Sequence, residues 1–361
     1  MSGWTTDPRE ALLAGPGFDL AGFDRGATPG WEHGKKAGKL LTQQRGALLP
    51  ELQERLFAEG RAGGRRAVLC VVQGIDTAGK GGIARHVMGF VDPQGVALRS
   101  FGVPTQEERE HHYLWRIRKA LPPAGKLGVF DRSHYEDVLV VRVDELVPRD
   151  VWEPRYEEIN QFEAELVADG ITVVKFAMMV SYEEQGKRLM ERLDRPDKRW
   201  KYSPGDLVTR SKWEAYQEAY QAVLQRTSTA HAPWYVLPAD RKWYPRLAVT
   251  EILTRTLIGL RPAWPLADFD VAAQREQLAA TMSTASLAES LAETDHVVSK
   301  AIEESLEVRA DAGELIGLGH HTAARSDAGI RAGWESEKAA TLAHKRGLLA
   351  ARDDASPGSG A

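Results

Sequence analysis

The chain has 361 residues, 43% hydrophobic and 27% charged, with a formal net charge of −4. That apolar content suffices for a sizeable core and excludes a wholly disordered chain, while the single cysteine, Cys70, excludes a disulfide framework and any multi-thiolate metal site. No apolar run approaches the ~18 residues that suggest a membrane span, and the stretch MSGWTTDPREALLAG has no basic region followed by an apolar core, so the cytoplasm is the expected compartment.

Residues 1–30 are rich in Gly, Pro and Asp without periodicity and read as a flexible arm. Lys35 to Glu59 carries leucines at mostly helical spacings. RRAVLCVVQ, Arg65 to Gln73, is a Val-rich run bounded by glycines, as a buried parallel strand requires. Further strands are predicted at Val96–Gly102, at KLGVFD ending on Asp131, at Ile171–Val180 and at Trp234–Pro238. Helical patterns at Thr105–Ala120, Val151–Ala168, Tyr182–Leu193 and Leu207–Leu224 separate them. Strands alternating with helices imply an α/β fold with a parallel sheet flanked by helices. A boundary is expected near Pro262 to Pro265, leaving a domain over 31–265 and a tail over 266–361. The tail holds 22 alanines in 96 residues and 16 acidic against 9 basic side chains, so it reads as an acidic helical appendage, with DDASPGSGA at its end disordered. The remainder carries a net charge of only +3, too little to argue for nucleic acid.

The strongest chemical signal is VVQGIDTAGKGG, Val71 to Gly82, a glycine loop directly after a strand and before a helix. Gly74, Ala78, Gly79, Gly81 and Gly82 permit close backbone approach, their amides can cradle phosphate, and Lys80 adds a charge that can follow a transferring phosphoryl group. Arg85, on the following helix, has the polarity for another phosphate contact. Gly81 stands where such loops usually carry a magnesium-ligating hydroxyl. Asp76, inside the loop, is therefore a candidate metal organiser or acceptor-orienting base. Asp131 ends a predicted strand, where ligands gather in a parallel sheet, and supplies a second metal carboxylate. Arg132 can clamp a phosphate, and His134, Tyr135 and Asp137 are candidates for the acceptor nucleotide pocket. Glu136 stays ambiguous between a helix start and a metal shell. ERLDRPDKRWKYSPGD, Glu191 to Asp206, concentrates Lys198, Arg199 and Lys201 in a broken helix that suits a lid over a polyanion.

Together GIDTAGKGG, FDRSHYEDVLVVRV, INQFE, KRWKYSPGD, TSTAHAPW and PADRKW resemble the polyphosphate kinase 2 family over about Trp31 to Leu260. The resemblance implies a P-loop kinase fold similar to thymidylate kinase, with a helical lid around 182–210. It implies phosphoryl transfer between inorganic polyphosphate and nucleoside mono- or diphosphates, with Mg²⁺ or Mn²⁺, and self-association. By position Asp76 and Asp131 match the family's essential aspartates, Lys80 its loop lysine, and Lys198, Arg199 and Lys201 its lid. An ATP-dependent nucleoside monophosphate kinase shares the loop and the strand-end aspartate, and a non-catalytic polyanion-binding module would keep the same fold; nothing in the sequence points to a membrane or nucleic-acid partner.

Overall fold

The computed structural model describes residues 3–315 and 320–355. Five strands form one parallel sheet: β1 (Ala67–Gln73), β2 (Val96–Ser100), β3 (Leu127–Asp131), β4 (Ile171–Met179) and β5 (Trp234–Pro238), in the order β2-β3-β1-β4-β5. β1 is central, and its residues are buried throughout, as expected for a strand covered on both faces. The next strands, β2 and β3, lie to one side of it, while β4 and β5 lie to the other. The crevice where strand order reverses, at the carboxyl end of β1, is where α/β sheets bind ligands. Register brings Asp131 beside Val72 of β1 and Ser100 of β2, so the β3 aspartate stands next to the exit of β1.

Helix Lys35–Arg61 packs against helix Trp243–Leu260. The approach is close: a Cβ on Gly38 would lie 2.6 Å from a Trp243 ring carbon, and a buried Arg45–Glu251 pair of 2.9 Å joins the two helices. Helix Arg155–Ala168 packs on β4 and beside helix Trp213–Thr227.

Several sequence expectations need correction. The N-terminal segment is not a loose arm. Trp4, Leu12 and Leu20 are buried, Asp7 pairs with Arg255 at 3.0 Å, and Leu13 bridges Tyr235 in antiparallel fashion. Ala14 N–H donates to Trp234 O at 2.8 Å and Val236 N–H to Leu12 O at 2.7 Å, so the segment satisfies the open edge of β5. The helix expected over Thr105–Ala120 is two short ones, Gln106–Glu110 and Leu114–Lys119. That over Val151–Ala168 breaks at Pro154, whose ring and missing N–H stop the first piece at Trp152 before Arg155–Ala168 begins. Leu207–Leu224 divides into Gly205–Ser211 and Trp213–Thr227.

From Pro265 onward the chain forms its own compact unit, with helices Val271–Thr281, Thr284–Leu315 and His320–Ala355. Lys345 donates to Ser290 and Thr294 Oγ atoms at 2.8 Å, and Arg331 pairs with Glu303 at 2.8 Å, so polar links join its two long helices. Of the terminal segment read as disordered, residues 356–361 lie outside the described residues. No helix among the described residues is long and apolar enough to cross a membrane.

Candidate active site

The loop leaving β1 turns sharply back toward β4. A Cβ on Gly74 would lie 2.8 Å from Met178 O, so no larger residue fits there without displacement. Gly79 adopts φ +114°, and Thr77, although β-branched, is held at φ +64°. Left-handed backbone at such a residue is costly and persists only where its surroundings over-determine it. Here the constraint is visible: the buried Arg188 guanidinium donates to Thr77 O at 3.0 Å, to Ala239 O at 2.7 Å and to Asp240 O at 2.9 Å. Gln185 Nε2 donates to Asp76 O at 3.3 Å. Helix Tyr182–Asp194 thus ties the glycine loop to the exit of β5.

Lys80 opens helix Lys80–His86 and folds back over its own loop, donating to Gly74 O. Burial lowers its pKa, and the neighbouring Arg132 lowers it further, against the opposing pull of Asp131, Asp76 and Glu136. Arg132 is a second strained residue, at φ +64°, with its N–H bonded to Val72 O. This turn directs its guanidinium to Asp76 Oδ1 at 3.1 Å. Burial works against the Arg132 charge but is outweighed by Glu136 and Asp76, so its pKa is raised. Glu136 is pushed up by burial, against Arg132 and Lys80, and its carboxylate accepts from the Gln73 amide at 3.0 Å in the orientation that satisfies that amide.

Lys80 and Arg132 open onto a cavity of about 620 Å³. Asp76 to Gly82, Asp131, Arg132 and Arg85 line it from the carboxyl end of the sheet and the helix that follows β1, and Glu191, Arg192, Lys198 and Lys201 from the 182–210 segment. Nine Lys and Arg side chains face three carboxylates, which makes the space a receptor for multiply charged anions. A smaller cavity of about 150 Å³ includes Gly74, Asp76, Arg132, Glu136, Tyr216 and Tyr220 in its lining. The segment expected to act as a lid comprises helix Tyr182–Asp194, a 3₁₀ segment Pro196–Lys201 and helix Gly205–Ser211, braced by an Arg192–Asp206 pair of 3.0 Å.

The profile of the Polyphosphate kinase 2 (PPK2) family matches residues 33–261. An AMP/ADP-polyphosphate phosphotransferase of Meiothermus ruber is 48% identical over 248 residues, covering 69% of this chain and 91% of that protein. The chain belongs to the polyphosphate kinase 2 family. An ADP-polyphosphate phosphotransferase of Rhodopseudomonas palustris is 38% identical, covering 70% of this chain and 89% of that protein. The crystal structure of Polyphosphate Kinase 2 from Arthrobacter aurescens TC1 superposes with a TM-score of 0.75 at 50% identity, covering 77% of this chain and 98% of that one.

Within this PPK2 fold most of the expected site residues converge. Asp76, Ala78, Gly79, Lys80, Gly81, Gly82, Arg85, Asp131, Arg132, Lys198 and Lys201 line the large cavity, and Gly74 the small one. Four do not. Arg199 is not among the lining residues, and its Nε donates to Leu193 O at 2.9 Å. His134 and Tyr135 are fully buried: His134 meets Glu163 at 3.2 Å, and Tyr135 OH donates to the same carboxylate at 2.8 Å. Asp137 pairs with Arg155 at 3.1 Å. The reason for these three is local. After the turn at Arg132 the chain enters a 3₁₀ segment, His134–Asp137, in which Glu136 takes the cavity side while its neighbours point elsewhere. Sequence reading passed over Arg188, which lines the cavity from the middle of a helix, and Arg246, which reaches it from helix Trp243–Leu260.

Asp76 and Asp131 are the sheet-side carboxylates of the large cavity. Among the described residues no group of three or more His, Cys, Asp or Glu side chains is arranged to hold a metal ion. One or two carboxylates plus substrate phosphates is, however, the usual donor set for Mg²⁺, so the residues present fit that ion.

Proposed function

We propose that this chain transfers a phosphoryl group directly between inorganic polyphosphate and a nucleoside mono- or diphosphate, with polyphosphate lying in the large cavity. The observation that carries this reading is the excess of nine cations over three carboxylates around a glycine loop with its lysine. Two polyanions must meet here, so neutralising charge is the main task of the protein. Lys80 and the loop amides would hold the oxygens of the transferring group. Arg132, fixed by Asp76, would meet the acceptor phosphate from the side of the smaller cavity. Asp76 and Asp131 would hold Mg²⁺, which when bound neutralises phosphate oxygens. The lid cations Lys198 and Lys201 would grip the polymer and exclude water. An acceptor phosphate is already anionic, so the transfer needs no strong base and no covalent enzyme intermediate. The Meiothermus ruber and Rhodopseudomonas palustris relatives, named for AMP/ADP and ADP, support nucleotide acceptors of this kind.

The test is a screen of purified protein with polyphosphate or ATP as donor, at equal Mg²⁺, and AMP, ADP, GMP or GDP as acceptor, products being followed by chromatography. Nucleotide product that depends on polyphosphate is expected. Turnover with ATP alone as donor, or polymer binding without turnover of any nucleotide, would refute the reading. Self-association in solution, implied by the family resemblance, is read by light scattering on the same preparation.

A further inference from the structure

The carboxylates around the large cavity do not all have the same surroundings. Asp76 belongs to the glycine loop and pairs with Arg132, and Asp131 ends β3, so both sit where phosphoryl transfer would take place. Glu191 lies instead near the end of the lid helix Tyr182–Asp194 and more open to solvent, at 37% side-chain exposure against 22% for Asp76. Its Oε1 meets Lys198 Nζ at 2.8 Å and Arg195 at 3.3 Å, and its Oε2 meets Lys242 Nζ at 3.5 Å. Lys198 belongs to the lid, whereas Lys242 follows β5 in the body of the domain. One carboxylate therefore spans cations from both sides of a space otherwise built for anions.

A fixed negative charge here repels an incoming phosphate and withholds two lysines from it. The structure assigns Glu191 as an internal stand-in for phosphate: it occupies Lys198 and Lys242 when no polymer is present, and polyphosphate must displace it to engage the lid. Hydrogen bonding from Lys198, followed by the charge of Lys242, holds the Glu191 pKa down at about 2, so the stand-in keeps its charge across the working pH range. The arrangement favours a multiply charged polymer, whose linked phosphates engage several cations at once, over single anions that must compete one contact at a time. It also sets the polymer affinity below the maximum that the cations would allow. The inference rests on the polyphosphate reading of the cavity and goes beyond it by naming the residue that limits affinity.

The test is Glu191→Gln in the full chain, which keeps the shape of the side chain and removes its charge. Equilibrium binding of long-chain polyphosphate is measured by calorimetry, and the KM values for polymer and nucleotide are taken from initial rates. Glu165→Gln, an equal charge change at the exposed Arg118 pair, is the control and is expected to match the wild type. Polymer Kd and KM are expected to fall about two- to five-fold in Glu191→Gln, the scale for releasing partly exposed ion pairs, with the nucleotide KM unchanged. Polymer affinity that is unchanged or weaker overturns the inference, since a carboxylate that merely positions Lys198 would weaken binding when lost. Circular dichroism checks folding, and Glu191→Ala must shift affinity in the same direction. A wild-type protein that neither binds nor turns over polyphosphate removes the functional reading itself, and this inference falls with it. An active wild type with an unresponsive Glu191→Gln removes the inference alone.

Discussion

Lys175 and Glu163 form a fully buried ion pair of 2.6 Å between β4 and helix Arg155–Ala168, and the pair offers a direct measure of what fixes the active-site turn. Lys175 Nζ also donates to Tyr135 OH at 2.7 Å and to Thr227 O at 2.7 Å, while Glu163 accepts from Tyr135 and is bonded to His134. Burial opposes ionisation of Glu163 but is outweighed by Lys175 and His134, so its pKa lies below the ordinary carboxylate value. Lys175→Met leaves that carboxylate buried without its main counter-charge. Removing one partner of such a pair costs about 3–5 kcal/mol. At roughly 2–4 °C per kcal/mol for a domain of this size, that is a fall of about 6–20 °C in the melting temperature. Lys175→Met combined with Glu163→Leu removes both charges and should recover much of the loss, because a buried pair contributes little beyond an apolar one of similar volume. The assay is thermal unfolding by circular dichroism at neutral pH, with polyphosphate-dependent kcat measured below the transition. Because His134 and Tyr135 lie two and three residues beyond Arg132, Lys175→Met should also lower kcat, through a loosened Arg132–Asp76 contact. A Lys175→Met protein melting within 2 °C of the wild type, or a double variant no more stable than the single one, would refute the reasoning.

The two aspartates make the sharpest catalytic test: Asp76→Asn and Asp131→Asn should each lower kcat by about a hundred- to thousand-fold, the scale of losing one preorganised charge contact, with unchanged circular dichroism; near wild-type rates in either variant would remove its assigned role. Lys198→Ala with Lys201→Ala should raise the polymer KM about ten-fold, whereas Arg199→Ala, whose side chain bonds Leu193 O instead of lining the cavity, should leave it nearly unchanged in the same steady-state assay. Glu191 has its pKa lowered from the ordinary 4.5 to about 2, so its pairing stabilises the lid above pH 4.5 and that contribution is lost as pH falls toward 2. Amide exchange across residues 191–201 should accordingly stay slow at pH 5 and quicken, after correction for intrinsic rates, between pH 4 and pH 2.

The parts of this molecule that were legible in its sequence are those in which one residue type answers one physical demand. All five strands were expected, and runs such as AVLCVVQ, buried on both faces, need no alternation to be seen, whereas β2 is half-buried to exposed. The glycine loop was visible because close approach to Met178 and left-handed backbone leave a glycine signature. Helix Trp243–Leu260 left no such mark. From Tyr244 through Arg255 every residue but the half-buried Arg246 is buried, so it lacks the polar stripe by which a surface helix is recognised. The N-terminal segment was misread because backbone hydrogen bonds to β5 hold it, together with isolated anchors such as Trp4 and Leu12, and neither follows a period.

The site shows the same division more finely. In DRSHYED, His134 and Tyr135 carry the chemistry a nucleotide pocket would use, yet they serve a buried carboxylate, and the cavity side goes to Glu136. Composition identifies the turn but not the direction of each side chain, which is set by the φ of +64° at Arg132 and by a glutamate in INQFE, 29 residues beyond His134. Arg188 shows the converse. Its i,i+4 spacing from Glu184 matches an ordinary surface helix pair, and only the fold reveals that its guanidinium joins carbonyls from the glycine loop and the end of β5. A long-range contact of this kind leaves no local pattern, so a single sequence can nominate the groups that would touch phosphate far more readily than those that hold them in place.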